Sequence, residues 1–339
     1  MHFLTDSSIL IDGLFNRHNL QTVLANPKYN TGLSEMAREN AISSFGNKIY
    51  LKGLIEFTNY CKNSCYFCGL NVNNANCSRY RLSKQEILSC FKTGKDFGIN
   101  SYILQGGDDS FYSNERIVEI IKAIRRDFKD PSLTLSMGER SYESYKSFYE
   151  AGLKGYILHH ESHTLEHFNM LHSDDVSLFN RLNSIKNIRQ SKLYTGCGLT
   201  VGFPYQTLEN IADDILYIYD LAPRSVTVMP FIPHKDTVFA NESSGDAELV
   251  FKVISILRIM LPKAIIFSHY SLDFIHKKGV EKGILSGANA VTLSLAPFKY
   301  RKKYNLYTNK IAEKDSIYKS YEKLQLLAQK TGGEISTDY

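Results

Sequence analysis

Cysteine is scarce in this chain: six cysteines in 339 residues, three of them packed between positions 61 and 68, are too few and too clustered for a disulfide scaffold. Proline (8) and glycine (21) are modest and 43% of residues are hydrophobic, which excludes a disordered, collagen-like or small secreted chain. Long apolar runs are missing too. The greasiest stretch, Val253 to Leu261, is broken by Arg258 and falls short of the roughly 18 residues a membrane span needs. Met1 to Asp6 shows no basic segment ahead of an apolar one, so no signal peptide is read and a cytoplasmic location is expected. There thiols stay reduced, and clustered cysteines tend to serve metals or catalysis. The net charge of +5 is small and interspersed, which speaks against nucleic acid as a partner. The longest basic run, Lys299 to Lys303 interrupted by Tyr300, reads as a solvated loop or a patch facing an acidic partner.

Helical spacing marks the first fifty residues: Ile9, Leu10, Leu14 and Leu20, then Leu33, Met36, Ala37 and Ala41. Short apolar runs then alternate with amphipathic stretches. Strands are expected at 51–57, 101–105, 132–136, 155–158, 195–201, 225–229, 264–268 and 289–293. Helices are expected at 83–97, 114–127, 141–151, 174–190, 207–220, 246–261 and 275–286, with a final one at 312–331 covering one end. Ser83 and Glu86 have capping-box spacing, and Gly98, Gly152 and Gly287 follow helical stretches as C-terminal caps do. The economical fold is an α/β, TIM-type (β/α)₈ barrel, complete or nearly so, because right-handed crossovers return each strand parallel to the last. The expected division is a helical extension over 1–47, the barrel over 48–300 and a C-terminal helical segment over 301–339. In such barrels chemistry collects on loops after the C-terminal ends of the strands.

One such loop, after the first strand, carries Cys61, Cys65 and Cys68 in C-x3-C-x2-C spacing. Three thiolates on so short a loop can converge on one 4Fe-4S cluster, leaving one iron open to another ligand. Structural zinc with Cys77 as the fourth ligand is the competing reading, whereas Cys77, Cys90 and Cys197 otherwise read as packing thiols. With Phe67 before the third cysteine, the loop resembles the signature of the radical S-adenosylmethionine (SAM) superfamily. The resemblance implies that SAM chelates the open iron and that one electron, from a reductant such as flavodoxin or ferredoxin, cleaves it to methionine and a 5'-deoxyadenosyl radical. Gly106-Gly107-Asp108 is similar to the family's G-G-E segment, with aspartate in place of glutamate; a plain turn is the alternative. Ser136, Glu161 and Arg181 supply the hydroxyl, carboxylate and guanidinium that a sulfonium amino acid requires, although Glu161 and Arg181 also read as a structural ion pair. Leu199 and Ile232 lie in segments similar to those that flank the family's adenine site.

A longer series of segments, among them Gly53 to Cys61, Leu135 to Glu139, Asn180 to Leu182 and Pro230 to His234, resembles the HydE-type maturases of FeFe-hydrogenase from about residue 30 to 330. That resemblance implies a small-molecule or iron-cysteine substrate, other hydrogenase maturases as partners, and substrate contacts at Thr134, His159, Ser268, His269, Tyr304 and Tyr307. His159 stands where those maturases have arginine, and Ser268-His269 where they have a Thr-Thr pair. No cysteine follows Cys197, so a single cluster is expected. Among the clustered histidines, His159 and His160 are expected near the substrate, and His163, His167 and His172 at the surface. Ser271-Leu272-Asp273 is similar to a segment of methylornithine synthase, which keeps a carbon-skeleton mutase as an alternative; a non-enzymatic iron-sulfur carrier is another.

Overall fold

The computed structural model describes residues 14–308 and 316–338, so Ile9, Leu10 and the first residues of the expected final helix (312–315) lie outside the described residues. Two helices, α1 (Arg17–Ala25) and α2 (Asn30–Phe45), lead into β1 (Lys48–Thr58). There follow α3 (Lys84–Asp96), β2 (Ser101–Gly106), α4 (Asn114–Asp127), β3 (Ser132–Ser136), α5 (Tyr142–Glu150) and β4 (Gly155–Ile157). The second half runs α6 (Leu165–Leu171), α7 (Leu178–Gln190), β5 (Tyr194–Val201), α8 (Leu208–Leu221), β6 (Ser225–Pro230), α9 (Ala247–Met260) and β7 (Ile265–Ser268). It ends with α10 (Leu272–Ile275), α11 (Gly279–Leu285), β8 (Ala290–Ser294), α12 (Phe298–Arg301), α13 (Ile317–Lys330) and β9 (Glu334–Ser336).

All pairings among β1 to β8 are parallel, and β1 pairs with both β2 and β8, which closes an eight-stranded barrel. The expected TIM-type fold is therefore the observed one. The Ser83–Glu86 capping box forms in full at the start of α3, with Ser83 N donating to Glu86 Oε2 at 2.9 Å. The sequence periodicity misses three details. The helix expected at 174–190 is α7 and the one expected at 275–286 is α11, but each is preceded by a short helix, α6 and α10, that the pattern did not mark. A ninth strand, too short to show a pattern, pairs parallel to the start of β1 with Glu334 opposite Lys48.

Two buried cations tie the outer layer together. Lys252 on α9 donates its ammonium to the carbonyls of Val23, Leu24 and Asn26, closing the C-terminal end of α1. Arg258, wholly buried, donates to the carbonyls of Pro262, Ala264 and Gly287 and to Asn289 Oδ1. The arginine that interrupts the apolar run thus satisfies carbonyls that the turn from α9 into β7 would otherwise leave unpaired.

Inside the barrel, Leu54, Ile103, Ile157, Ile265 and Phe267 form an apolar plug. Ile103, Ile157 and Phe267 line cavities on both sides of it. Above the plug, toward the C-terminal ends of the strands, the lining becomes polar and carries the residues with chemistry.

Candidate active site

The three cysteines leave the end of β1 on a loop held by its surroundings rather than by regular structure. Lys62 N donates to Asp108 O at 2.9 Å, Tyr66 N to Leu171 O at 3.0 Å and Gly69 N to Leu306 O at 2.9 Å. The Arg79 guanidinium donates to the carbonyls of Asn59, Leu70 and Asn71, spanning both flanks of the loop. Arg81 forks onto the Asp109 carboxylate at 2.7 and 2.9 Å and lies 3.7 Å over the Tyr60 ring. Cys61, Cys65 and Cys68 are free thiols. Burial raises the Cys65 thiol well above its ordinary value, with the charges of Cys68 and Cys61 adding to it. Cys68 is pushed up to about 12 for the same reasons. A metal centre binding these half-buried sulfurs as thiolates would displace their protons, which is how a cluster engages cysteine. Among the described residues no three His, Cys, Asp or Glu side chains converge tightly enough to hold one metal ion.

Below the loop lies a cavity of about 280 Å³. Cys61, Cys68, Phe67, Gly106, Gly107 and Asp108 line its mouth. A Cβ at Gly107 would sit 2.2 Å from Tyr60 O, and one at Gly106 would sit 2.6 Å from Thr58 Cγ2. Both glycines are needed because the end of β2 packs directly on the chain entering the cysteine loop. Asp108 turns its carboxylate aside, accepting from Arg140 Nη1 at 2.7 Å.

Ser136, Glu161, Arg181 and Ile232 line the same cavity. Glu161 has φ +67, a left-handed backbone rare for a non-glycine residue. This conformation turns the side chain at the end of β4 into the cavity, where Oε2 is buried without a hydrogen-bond partner. Burial raises the Glu161 carboxyl above its ordinary range, although Arg181 pulls it down. An orphan carboxylate oxygen in a cavity is an acceptor awaiting a donor, such as an ammonium or a ribose hydroxyl. Arg181 does not pair with Glu161 as an ion pair read from the sequence would require. Its Nε donates to Glu139 Oε1 at 2.6 Å and its Nη1 to His159 O at 2.8 Å. Glu139 was legible only as part of a motif; nothing in its spacing announced that it orients Arg181. Opposite, Phe203, Phe231 and Ile232 make an apolar wall, with Phe67 and Phe203 rings 4.7 Å apart.

Deeper in the cavity lie His159, His269, Tyr304 and Tyr307, together with Thr200, Thr227, Met229 and Thr292, none of which the sequence reading assigned a role. The His159 ring lies across β5, where a Cβ at Gly198 would come within 3.0 Å of it. Burial pushes His159 down to about 4, with His160 and Arg181 adding to the effect, so the imidazole is neutral near pH 7.

Several expected residues sit elsewhere. Thr134 points inward as expected but lines the lower cavity, beneath the plug, one strand repeat below Ser136. Ser268 faces outward, donating to Val280 O at 2.8 Å, because Phe267 takes the inward position on β7. Leu199 likewise points out into the core between β5 and the helices, leaving Thr200 at the cavity. Asp273 accepts from Val280 N at 3.0 Å and so serves the turn into α11. His160 is not near the cavity: its Nε2 lies 3.1 Å from Asp214 Oδ1 on α8, and its Nδ1 3.4 Å from Cys197 Sγ. His167 and His172 are buried, not at the surface; His167 bonds to Ser162 and Pro204 O, and His172 to Phe168 O.

Burial alone would lower the His160 pKa, but Cys197 and Asp214 outweigh it and raise it to about 10. The pair therefore stabilises the fold fully below the ordinary histidine pKa of about 6.5 and loses that contribution as pH rises toward about 10. Asp214→Asn keeps the acceptor for His163 N (2.6 Å) and removes only the charge. In urea unfolding at pH 6 this variant is expected to lose about 3 kcal/mol, with a smaller deficit at pH 10.

Residues 55–218 match the family described as the radical SAM superfamily. The chain is 34% identical over 308 residues to the [FeFe] hydrogenase maturase subunit HydE of Thermotoga maritima, covering 90% of this chain and 88% of that protein. It is 29% identical to the 3-methylornithine synthase of Methanosarcina barkeri, covering 88% of this chain and 84% of the relative. Among solved structures, methylornithine synthase (PylB) superposes with a TM-score of 0.82 at 25% identity over 96% of this chain and 97% of that one.

Proposed function

The chain belongs to the radical SAM superfamily, and from that premise we propose that Cys61, Cys65 and Cys68 hold one 4Fe-4S cluster whose open iron takes SAM in the cavity below. When bound, that cluster supplies the electron that cleaves SAM to methionine and a 5'-deoxyadenosyl radical. Everything else falls to this chain's own side chains. Arg181, aimed by Glu139, presents its guanidinium to the SAM carboxylate, and the backbone at Gly106, Gly107 and Asp108 receives the amino group. Glu161 and Ser136 accept from the ribose, and the Phe203, Phe231 and Ile232 wall packs on the adenine. The observation that carries the reading is the juxtaposition, in one cavity, of the cysteine loop with a buried guanidinium and an orphan carboxylate oxygen. Such a set suits a zwitterionic sulfonium ligand and would be purposeless in a protein that merely passes a cluster on.

Within the superfamily we assign the chain to FeFe-hydrogenase maturation, with an iron-cysteine substrate. The length and identity of the match to the HydE maturase support this, as do the cavity positions of His159, His269, Tyr304 and Tyr307. A neutral His159 gives such a substrate a hydrogen-bonding and soft metal-facing imidazole in place of a cation. Of the segment shared with the mutase, Asp273 serves the turn into α11 whereas Ser271 lines the cavity. The test is anaerobic turnover of SAM by the reduced, reconstituted protein with candidate substrates. Release of 5'-deoxyadenosine stimulated by an iron-cysteine carbonyl cyanide complex, and not by lysine, is the expected result. Stimulation by lysine alone would move the chain to the mutase branch.

A further inference from the structure

The basic run singled out in the sequence has no part in the cavity chemistry, yet it lies against the cysteine loop. Asn59, two residues before Cys61, is fully buried and donates its Nδ2 to Lys303 O at 2.8 Å. On the other flank, Gly69, next after Cys68, donates to Leu306 O at 2.9 Å, and a Cβ there would sit 2.3 Å from Asn305 O. The segment from 299 to 306 is thus a strap across the outer side of the loop, with two faces. Tyr304 and Leu306 point into the cavity. Lys299 and Lys302 are exposed and Lys303 is partly so. Stacking of Tyr300 on Tyr80, with ring centroids 4.9 Å apart, and the Tyr300 hydroxyl's bond to Glu86 Oε1 at 2.7 Å fix the strap on the start of α3.

The charge around this strap is lopsided. Lys62 is exposed beside Cys61, and Arg79 spends its guanidinium on three carbonyls, which leaves its charge unneutralised. Carboxylates in the neighbourhood are largely engaged: Asp109 with Arg81, Asp108 with Arg140 and Lys62, and Glu86 with Lys299. Asp236 is held by Asn76 on the other side of the loop. Among the described residues, Lys302 and Lys303 have no carboxylate partner within salt-bridge distance. From the strap, the Lys303 O to Asn59 bond and two peptide units lead to Cys61, a short connection between surface and thiolate.

We propose that this strap, with Lys302 and Lys303 at its centre and Lys62 and Arg79 at its edge, is the docking surface for a small acidic electron-transfer protein that reduces the cluster. The inference rests on the radical SAM reading, which requires an electron to enter at the cysteine loop, and charge complementarity selects the partner. Interspersed charge over the rest of the chain makes such a patch effective for steering encounter at modest ionic strength.

Two readouts test the proposal on the full-length protein. Binding of an acidic flavodoxin, followed by titration calorimetry at low salt, is expected to weaken on the order of tenfold in the Lys302→Glu, Lys303→Glu double variant, with a flatter salt dependence. Lys129→Glu, Lys192→Glu, which makes the same charge change at exposed positions at the opposite end of the barrel, is expected to bind like the parent. In turnover, flavodoxin-driven formation of 5'-deoxyadenosine falls in the strap variant, whereas the dithionite-driven rate is unchanged, since a small reductant needs no docking surface. Unchanged flavodoxin affinity in the strap variant, or equal weakening in the control, would overturn the assignment. Failure of SAM cleavage with dithionite as well would count against the radical SAM reading instead, and the binding measurement would still decide the docking surface.

Discussion

Cys68→Ala is expected to leave the protein folded and to bring SAM cleavage down by about 10³-fold or more, because the three thiolates act as a unit. Non-additivity is the sharper part of this expectation: the single variant, and the Cys61→Ala, Cys65→Ala, Cys68→Ala triple variant, should be indistinguishable in iron content and in 5'-deoxyadenosine released. Burial and mutual repulsion raise the Cys65 and Cys68 thiols above their ordinary pKa. Removing one leaves the other two without the geometry to share a cluster, and the apolar surroundings then favour neutral thiols. Cys77→Ala, at the loop's far edge with Asn59 Nδ2 3.7 Å from its sulfur, is the control and should retain full iron. A comparable loss of iron in that control would return the site to a four-cysteine reading.

Arg181→Ala is expected to weaken SAM binding on the order of 10- to 100-fold, the worth of a charged hydrogen-bonding fork to a carboxylate. The same change leaves the partly exposed Glu139 without its partner and removes the donor to His159 O, so a stability loss of about 1–2 kcal/mol accompanies it. Arg181→Lys separates the two effects. It keeps the charge near Glu139, and so most of the stability, but cannot fork, and should still bind SAM poorly. Equilibrium binding of SAM to the cluster-loaded variants, read beside their urea midpoints, checks both. Wild-type affinity in Arg181→Lys would mean that the guanidinium orients Glu139 and does not touch the ligand.

How much of this was legible beforehand depends on what each signal physically records. The barrel was readable because burial writes period-two and period-3.6 patterns over whole elements, and because crossover handedness leaves few topologies. The cysteine loop, Gly106-Gly107 and Glu161 stood out because they follow strand ends, whereas Arg181, inside α7, stood out only through its chemistry and the resemblance. Register and depth were not. Thr134 and Ser136 do share a face of β3, but one strand repeat puts the first below the plug and the second above it. Ser268 was assigned inward through resemblance, although Phe267 already occupies the inward position on a strand of only four residues. His160 shows the limit most clearly. Adjacent to His159 in sequence, it points to the opposite side of β4 and pairs with Asp214 on a helix some fifty residues later, a partnership no local pattern encodes.

The central claim is that this cavity turns one electron and SAM into a radical. Its most direct test is the wild-type protein, reconstituted anaerobically with iron and sulfide, reduced with dithionite and mixed with SAM, following the EPR signal of the reduced cluster and the yield of 5'-deoxyadenosine together. The account predicts a reduced-cluster signal that changes on addition of SAM, since SAM occupies the open iron, and 5'-deoxyadenosine that accumulates only with reductant. A reduced cluster whose signal ignores SAM and that yields no 5'-deoxyadenosine would contradict it.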